Sequence, residues 1–459
     1  VAVEAEAVVD SVLALPEDED EAGRRRILDI WEDVSARARQ LSREGHQGKL
    51  ESDLQRAALG ETTVAESMPQ LTVPRGSRPF SLWGFRARTQ ARLPLWPYGD
   101  AKNLDPKRST QICGQCHAVW DYKMEDMGRL DAWSEEGFRY RAGDDVEKNR
   151  DPKFTNSGDE TGFWPDGMIR TAGREYNALH GSPCYEEGGM SCLSCHEMHP
   201  ADTPERTRAQ WATDQLKLGG DNRSCMECHE SYAEDIEAHT HHALGSTGSS
   251  CVNCHMPHST YGLMKGVRTH RIESPSVQVT LKTGRPNACN LCHLDQTLEW
   301  TAKALNNWYG APVPELSDDA RKISTGVQWL LKGDAALRAL IAWSFGWRPA
   351  QDTAGTEWMA PYLAEMLVDP YESVRIIGQR ALRTLPGFAA FEHDLTASAE
   401  VRAAAKREAL SIWSEQQAGQ KLAGSARARV LLADDGNVIA EAFARLLKRR
   451  DNKLIRLFE

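Results

Sequence analysis

Apolar residues recur at three- to four-residue spacing in two parts of this chain, and hardly at all between them. The longer part begins at Thr297. Residues 297–310, 318–333, 334–347, 356–369, 371–385, 399–416 and 437–450 each carry an apolar stripe, with polar residues on the other face and short breaks between segments. This predicts a helical domain over 297–459. Near the start, Ile27, Leu28, Ile30, Trp31, Val34 and Leu41 follow an acidic run at 16–21 and predict one amphipathic helix docked on the rest. Residues 71–98, rich in Pro, Arg and aromatics, suit an extended arm laid over another surface, so 1–105 is expected to be a helix plus arm. Residues 106–296 lack sustained periodicity. Gly, Asp and Pro punctuate them, and the long interval 119–191 predicts loops around short helices, acting as a cover, a lid or a partner surface.

Two tail segments, DPYESVRIIGQRAL and SAEVRAAAKREAL, set Val374-Arg375 and Val401-Arg402 after a short acidic or polar turn, with small and apolar residues following. They resemble HEAT repeats, in which an Asp and an Arg knit neighbouring helix pairs of an α-solenoid. The likeness covers one clear repeat and one weaker copy, and it implies a surface for protein partners. His393, in FEHDL, is read as structural, and His46, in a polar stretch, as a surface residue.

Composition narrows the class. Of 459 residues, 41% are hydrophobic and 26% charged, as in ordinary globular chains. No apolar run approaches the roughly 18 residues that a membrane span needs. The formal charge of -11 argues against nucleic acid and for a basic redox protein or a small-molecule donor as partner. The sequence opens at Val1 without a basic and then apolar leader, so a signal peptide is expected to have been removed.

The chemistry lies in the aperiodic middle. Cys-x-x-Cys-His occurs five times there: Cys113, Cys116 and His117; Cys192, Cys195 and His196; Cys225, Cys228 and His229; Cys251, Cys254 and His255; Cys289, Cys292 and His293. Two thiols at this spacing reach the vinyl groups on one edge of a porphyrin, and the next imidazole turns onto its iron, so each motif reads as a covalent haem c site. Zinc also uses paired CxxC, but it requires no His directly after the second Cys. Thioether attachment normally takes place outside the cytoplasm, which predicts a periplasmic or extracellular protein. Ten of the 11 Cys are consumed by the motifs; Cys184 remains, with a packed thiol as its default role. With roughly one motif per 36 residues, the porphyrins are expected to supply much of the buried surface. The arm's arginines are then candidates to neutralise propionates.

An iron with two axial ligands moves electrons, whereas an open one binds substrate. Nine histidines lie outside the motifs, and five stand where distal ligands are expected: His180, His199, His242, His258 and His270. His199 and His258 each follow a motif His by three residues. They cannot reach the far face of their own haem, so each would serve a neighbour. In HTHH, His239 or His241 could replace His242, take a hydrogen-bonding role or reach another subunit. Met198 and Met256 read as packing residues.

The runs HGSPCYEEGGMSCLSCHEMHP, HTHHALGSTGSSCVNCHMPHSTYG, RTHRIESP and RPNACNLCHLD resemble the multihaem cytochromes c of the cytochrome c554 and pentahaem nitrite reductase group, specifically those fused to a helical-repeat tail. The resemblance covers about 113–308. It implies a mainly α, loop-rich domain of stacked haems at 106–296 followed by a HEAT-like domain at 297–459. It also implies mostly two-histidine ligation and extracytoplasmic electron transfer. The ammonia-forming reductases of that group attach their catalytic haem through CxxCK, whereas all five motifs here end in His. Three functions follow as expectations. The first is an electron carrier between redox partners. The second is a haem oxidoreductase of small nitrogen or sulfur compounds with one open iron, for which Arg174, Tyr176, Tyr261 and Arg268 are candidates to polarise substrate. The third is a conducting subunit of a filament or of a larger respiratory or photosynthetic complex.

Overall fold

The computed structural model describes residues 104–115, 117–122, 143–148, 150–156, 161–171, 174–196, 216–218, 220–261, 263–416 and 418–455. The expected N-terminal helix and arm, Cys116, Met198 and His199 lie outside these. Residues Pro97–Glu459 form one compact unit, and it is mainly α. Among the described residues, strands are confined to two small antiparallel pairs, and no helix is long and apolar enough to cross a membrane.

The motif region is built from short pieces. Helix α1 (Pro106–Gly114) starts on Asp105, whose carboxylate accepts from Arg108 N, with Pro106 at its first position. Strands β1 (Trp120–Tyr122) and β2 (Arg150–Pro152) pair next, followed by α2 (Glu175–Leu179), α3 (Pro183–Glu186), α4 (Cys192–Cys195), α5 (Arg223–Met226), α6 (Ile236–Thr240) and α7 (Cys251–His255). Strands β3 (His258–Tyr261) and β4 (Lys265–Arg268) form a hairpin with His258 opposite Arg268. Helices α8 (Val277–Thr283) and α9 (Cys289–Cys292) complete the region. Its apolar burial is sparse. Within 220–256, which holds the third and fourth motifs, Ser249 alone is buried.

The tail contains α10 (Leu298–Tyr309), α11 (Asp318–Lys322), α12 (Thr325–Lys332), α13 (Ala335–Gly346), α14 (Arg348–Ala354), α15 (Ala360–Met366), α16 (Glu372–Leu382), α17 (Ala399–Glu415), α18 (Gly424–Arg429) and α19 (Ala440–Leu447). The stripe at 318–333 splits into α11 and α12 because Ser324 turns the chain and caps α12, accepting from Val327 N at 3.3 Å. Gly310, at φ 69°, ends α10 in the left-handed region that a side chain resists. Helix α13 is buried on nearly every side, and it packs on α12 and α16. The main core runs from Leu263, Leu291 and Leu294 through α12–α17 to Ile455, so the fifth motif and the hairpin share the interior of the tail.

Arginine marks the starts of five tail helices. Arg338, Arg375, Arg402 and Arg427 each donate from Nη1 to a carbonyl just ahead of their own helix: Gly333 (2.6 Å), Asp369 (2.9 Å), Ala397 (2.5 Å) and Leu422 (3.1 Å). Arg321 does the same to Leu316. Sequence comparison isolated only the pair Arg375 and Arg402. Arg338 also grips Asp369 through two bonds, 2.7 and 2.9 Å, with both side chains fully buried.

Candidate metal centre

Each described motif is wound into about one helical turn. The N–H of the motif histidine donates to the carbonyl of the first cysteine: His117 to Cys113 at 3.0 Å, His196 to Cys192 at 2.9 Å, His229 to Cys225 at 3.0 Å and His293 to Cys289 at 2.9 Å. A single turn sets positions i, i+3 and i+4 on one face. In the second to fifth motifs both thiols and the imidazole therefore project the same way, as the sequence pattern requires.

The motifs neighbour one another in chain order. Cys113 and Cys192 share a hydrogen bond that draws the first thiol down to about 7 and drives the second well up. Cys225 and Cys251 repeat this between the third and fourth motifs, with Cys251 at about 7. Burial pushes the Cys195 thiol up, and so does its neighbour Cys225, which links the second motif to the third. Burial and then Cys254 push Cys289 and Cys292 up to about 12, linking the fourth motif to the fifth. Asn222 ties two motifs directly, donating to Ser249 O (2.8 Å) and accepting from Cys251 N (2.9 Å).

Among the described residues, three pairs of imidazoles face one another. Ring centroids are 6.1 Å apart for His196 and His270, 6.1 Å for His239 and His255, and 6.0 Å for His242 and His293. Every pair joins a motif histidine to one outside the motifs. Two of these rings have Nδ1 on a backbone carbonyl, His255 at 3.0 Å from Glu273 O and His242 at 2.6 Å from Thr240 O, and in the first motif His117 Nδ1 lies 3.1 Å from Glu175 Oε2. A proton held on Nδ1 leaves the Nε2 lone pair for a metal. Burial, the largest single influence, pushes the Glu175 carboxyl up, but the bond from His117, a backbone bond and the nearby His270 and His117 together hold it at about 2, while the bond to Glu175 raises His117. Burial, helped by His242, pulls His293 down to about 4, so it is neutral near pH 7.

Two other expected ligands, His258 and His180, lie beside aromatic side chains. His258 sits against Trp343 (4.6 Å) and Trp347 (4.9 Å) of the tail, where burial drives it down to about 3. The β3–β4 hairpin carries it there: Leu263 enters the tail core, and Gly266 lies so close to Trp343 that an added Cβ would stand 2.6 Å from the ring. His180 is enclosed by Tyr176, Tyr185 and Phe154 at 4.6, 5.0 and 5.2 Å, and burial lowers it. Arg268 is occupied by the turn of the fourth motif, donating to Val252 O (2.6 Å), Met256 O (3.1 Å) and Asn253 Oδ1 (2.7 Å). Tyr176 is buried and donates to Glu147 Oε1 at 2.9 Å. Cys184, like every described cysteine, is a free thiol. His393 pairs with Glu408 inside the tail. His239, which sequence reasoning left as a spare, is one of the paired imidazoles.

These residues suit haem. Two imidazoles on opposite faces of one iron, with Fe–N bonds of about 2 Å and a further ~1 Å to each ring centre, stand roughly 6 Å apart. The three pairs have that separation. Among the described residues no three His, Cys, Asp or Glu side chains converge on one point. The sparse apolar burial of 220–256 is that of a segment whose interior is not made of its own side chains. Comparison with known proteins adds nothing to this: no family model, no curated protein and no solved structure matches the chain.

Proposed function

We propose that this chain is an extracytoplasmic multihaem cytochrome c that relays electrons between redox proteins. The cysteines of the five motifs would bind the porphyrins, with His117, His196, His229, His255 and His293 as proximal ligands. Bound haem supplies a one-electron couple whose potential is set by its axial ligands, their hydrogen bonds and its burial. The observation that carries the reading is the contact of consecutive motifs in chain order, from Cys113 beside Cys192 through to Cys254 beside Cys289. Centres carried by motifs that neighbour one another in chain order suit transfer along the chain and not isolated chemistry at each.

The chain's own residues do three things in this reading. Single-turn motifs aim thiols and imidazole together. Carbonyls and Glu175 hold protons on Nδ1, so the imidazoles stay oriented. Arg268 and Asn222 fix the turn of the fourth motif against its neighbours. The helical tail, with its recurring arginines, resembles a HEAT-like scaffold and is the natural docking surface for a protein donor or acceptor.

The test is intact mass and spectroscopy of the protein matured in a periplasm. Five added haems, ferric spectra dominated by low-spin iron, and reversible reduction by a viologen followed by reoxidation by an added cytochrome are expected. A polypeptide without added macrocycles would overturn the reading, and so would rapid carbon monoxide binding to most of the reduced haem.

A further inference from the structure

The turn at 239–242 carries three imidazoles on four residues, and the fold sends them in different directions. Helix α6 ends at Thr240, and His241 adopts φ 55°, ψ 30°, a left-handed conformation usually left to glycine or asparagine. That reversal separates His239, in the last helical turn, from His242 beyond it. His239 faces His255 at 6.1 Å with the two rings within 5° of parallel, and His242 faces His293 at 6.0 Å. The exposed His241 lies on Trp308 instead, at 4.3 Å.

We propose that this one turn ligates two irons, His239 completing the coordination of the iron held by His255 and His242 that of the iron held by His293. His241 braces the turn against Trp308. The proposal rests on the haem reading above and goes beyond it by assigning the distal ligands of the fourth and fifth motifs. His239, which the sequence offered as an alternative to His242, thereby acts beside it.

The surroundings of the turn are built for this. His242 Nδ1 is held by Thr240 O at 2.6 Å, and His255 Nδ1 by Glu273 O at 3.0 Å, so both rings keep Nε2 for metal. Tyr309 of α10 donates to the carbonyl of His239, fixing that residue from the tail side. Gly248 supports the His242 ring so closely that an added Cβ would stand 2.1 Å from Cδ2. A glycine is therefore required opposite this imidazole, although no bond is made to it. Short peptides shared by neighbouring centres fix the distance between the centres, and here that distance would belong to the last step of the line.

The test uses the haem-loaded protein, with haem number read by intact mass and spin state by low-temperature magnetic resonance. His239→Ala and His242→Ala are each expected to keep five haems and to convert one iron in five from low-spin to high-spin. The double variant should convert two, and added imidazole should restore the low-spin signal. Gly248→Ala, which keeps every imidazole, should convert one. If the alanine chains fail to accumulate, His239→Met and His242→Met keep a ligand and should each raise the potential of one haem. A chain with five haems that stays fully low-spin after His239→Ala or His242→Ala overturns the proposal, as does a double variant converting no more than one iron. An unsubstituted chain lacking haem would sink the haem reading itself.

Discussion

Asp369 is the point at which the tail is most exposed to a single substitution. Its carboxylate accepts from Arg338 Nε at 2.7 Å, Arg338 Nη2 at 2.9 Å and Tyr371 N at 3.0 Å, with Arg450 Nη1 at 3.3 Å, and both Asp369 and Arg338 are fully buried. Asp369→Asn removes the charge without changing the shape, and it turns one acceptor into an NH2 group facing guanidinium donors. Removing one partner of a buried pair costs about 3–5 kcal/mol, because the other charge is left without compensation. Two cations depend on Asp369, so the upper part of that range is expected. Arg338→Met should also be costly, since it leaves carbonyls of Gly333 and Asp451 without their donor. The double variant should lose clearly less than the sum of the singles, with a coupling of about 2 kcal/mol or more. Equilibrium urea unfolding followed by far-ultraviolet circular dichroism measures this. A loss under ~1 kcal/mol for Asp369→Asn, or strict additivity, would refute the reasoning. Because Leu291 and Leu294 share the tail core, a haem bound at the fifth motif as proposed would lose its low-spin spectrum in the same transition.

Glu175 gives a test at the other end of the line. If His117 ligates haem iron as proposed, its bond to Glu175 would make the imidazole more electron-rich and favour ferric iron, so Glu175→Gln should raise one haem potential by roughly 50 mV, a shift that spectroelectrochemistry resolves and whose absence would remove Glu175 from this role. Asp319 tests the tail by pH. Its carboxyl is held below the usual carboxylate range mainly by the bond from Arg445, against burial, with Lys332 and Arg449 adding to the depression. A carboxyl depressed in the folded state contributes stability in full above its unfolded value of about 4 and loses it as pH falls through the folded value. Asp319→Asn should therefore cost about 1 kcal/mol at neutral pH and flatten the acid limb of the stability profile. Identical slopes for both proteins below pH ~4 would count against it.

Local chemistry was legible in the sequence. A CxxCH motif is complete within one helical turn, so Cys192, Cys195 and His196 declare their shared face without reference to anything distant. The tail's apolar stripes likewise fix helices over Leu298–Tyr309 and Ala335–Gly346, because burial of one face is a property of spacing. Partners across the fold are of another kind. His258, three residues after His255, invited the same reading as a ligand, yet the hairpin that carries it docks on α13 and wedges it between Trp343 and Trp347. His239 looked surplus until a left-handed His241 turned it toward His255. The Arg338–Asp369 pair spans 31 residues and leaves no periodic trace. Sequence by itself determined which thiols and imidazoles share one turn and which tail segments would be helical, since both depend on near neighbours along the chain. Which imidazole faces which was decided only by tertiary structure, because a contact between distant segments depends on how whole helices pack and not on any spacing along the chain.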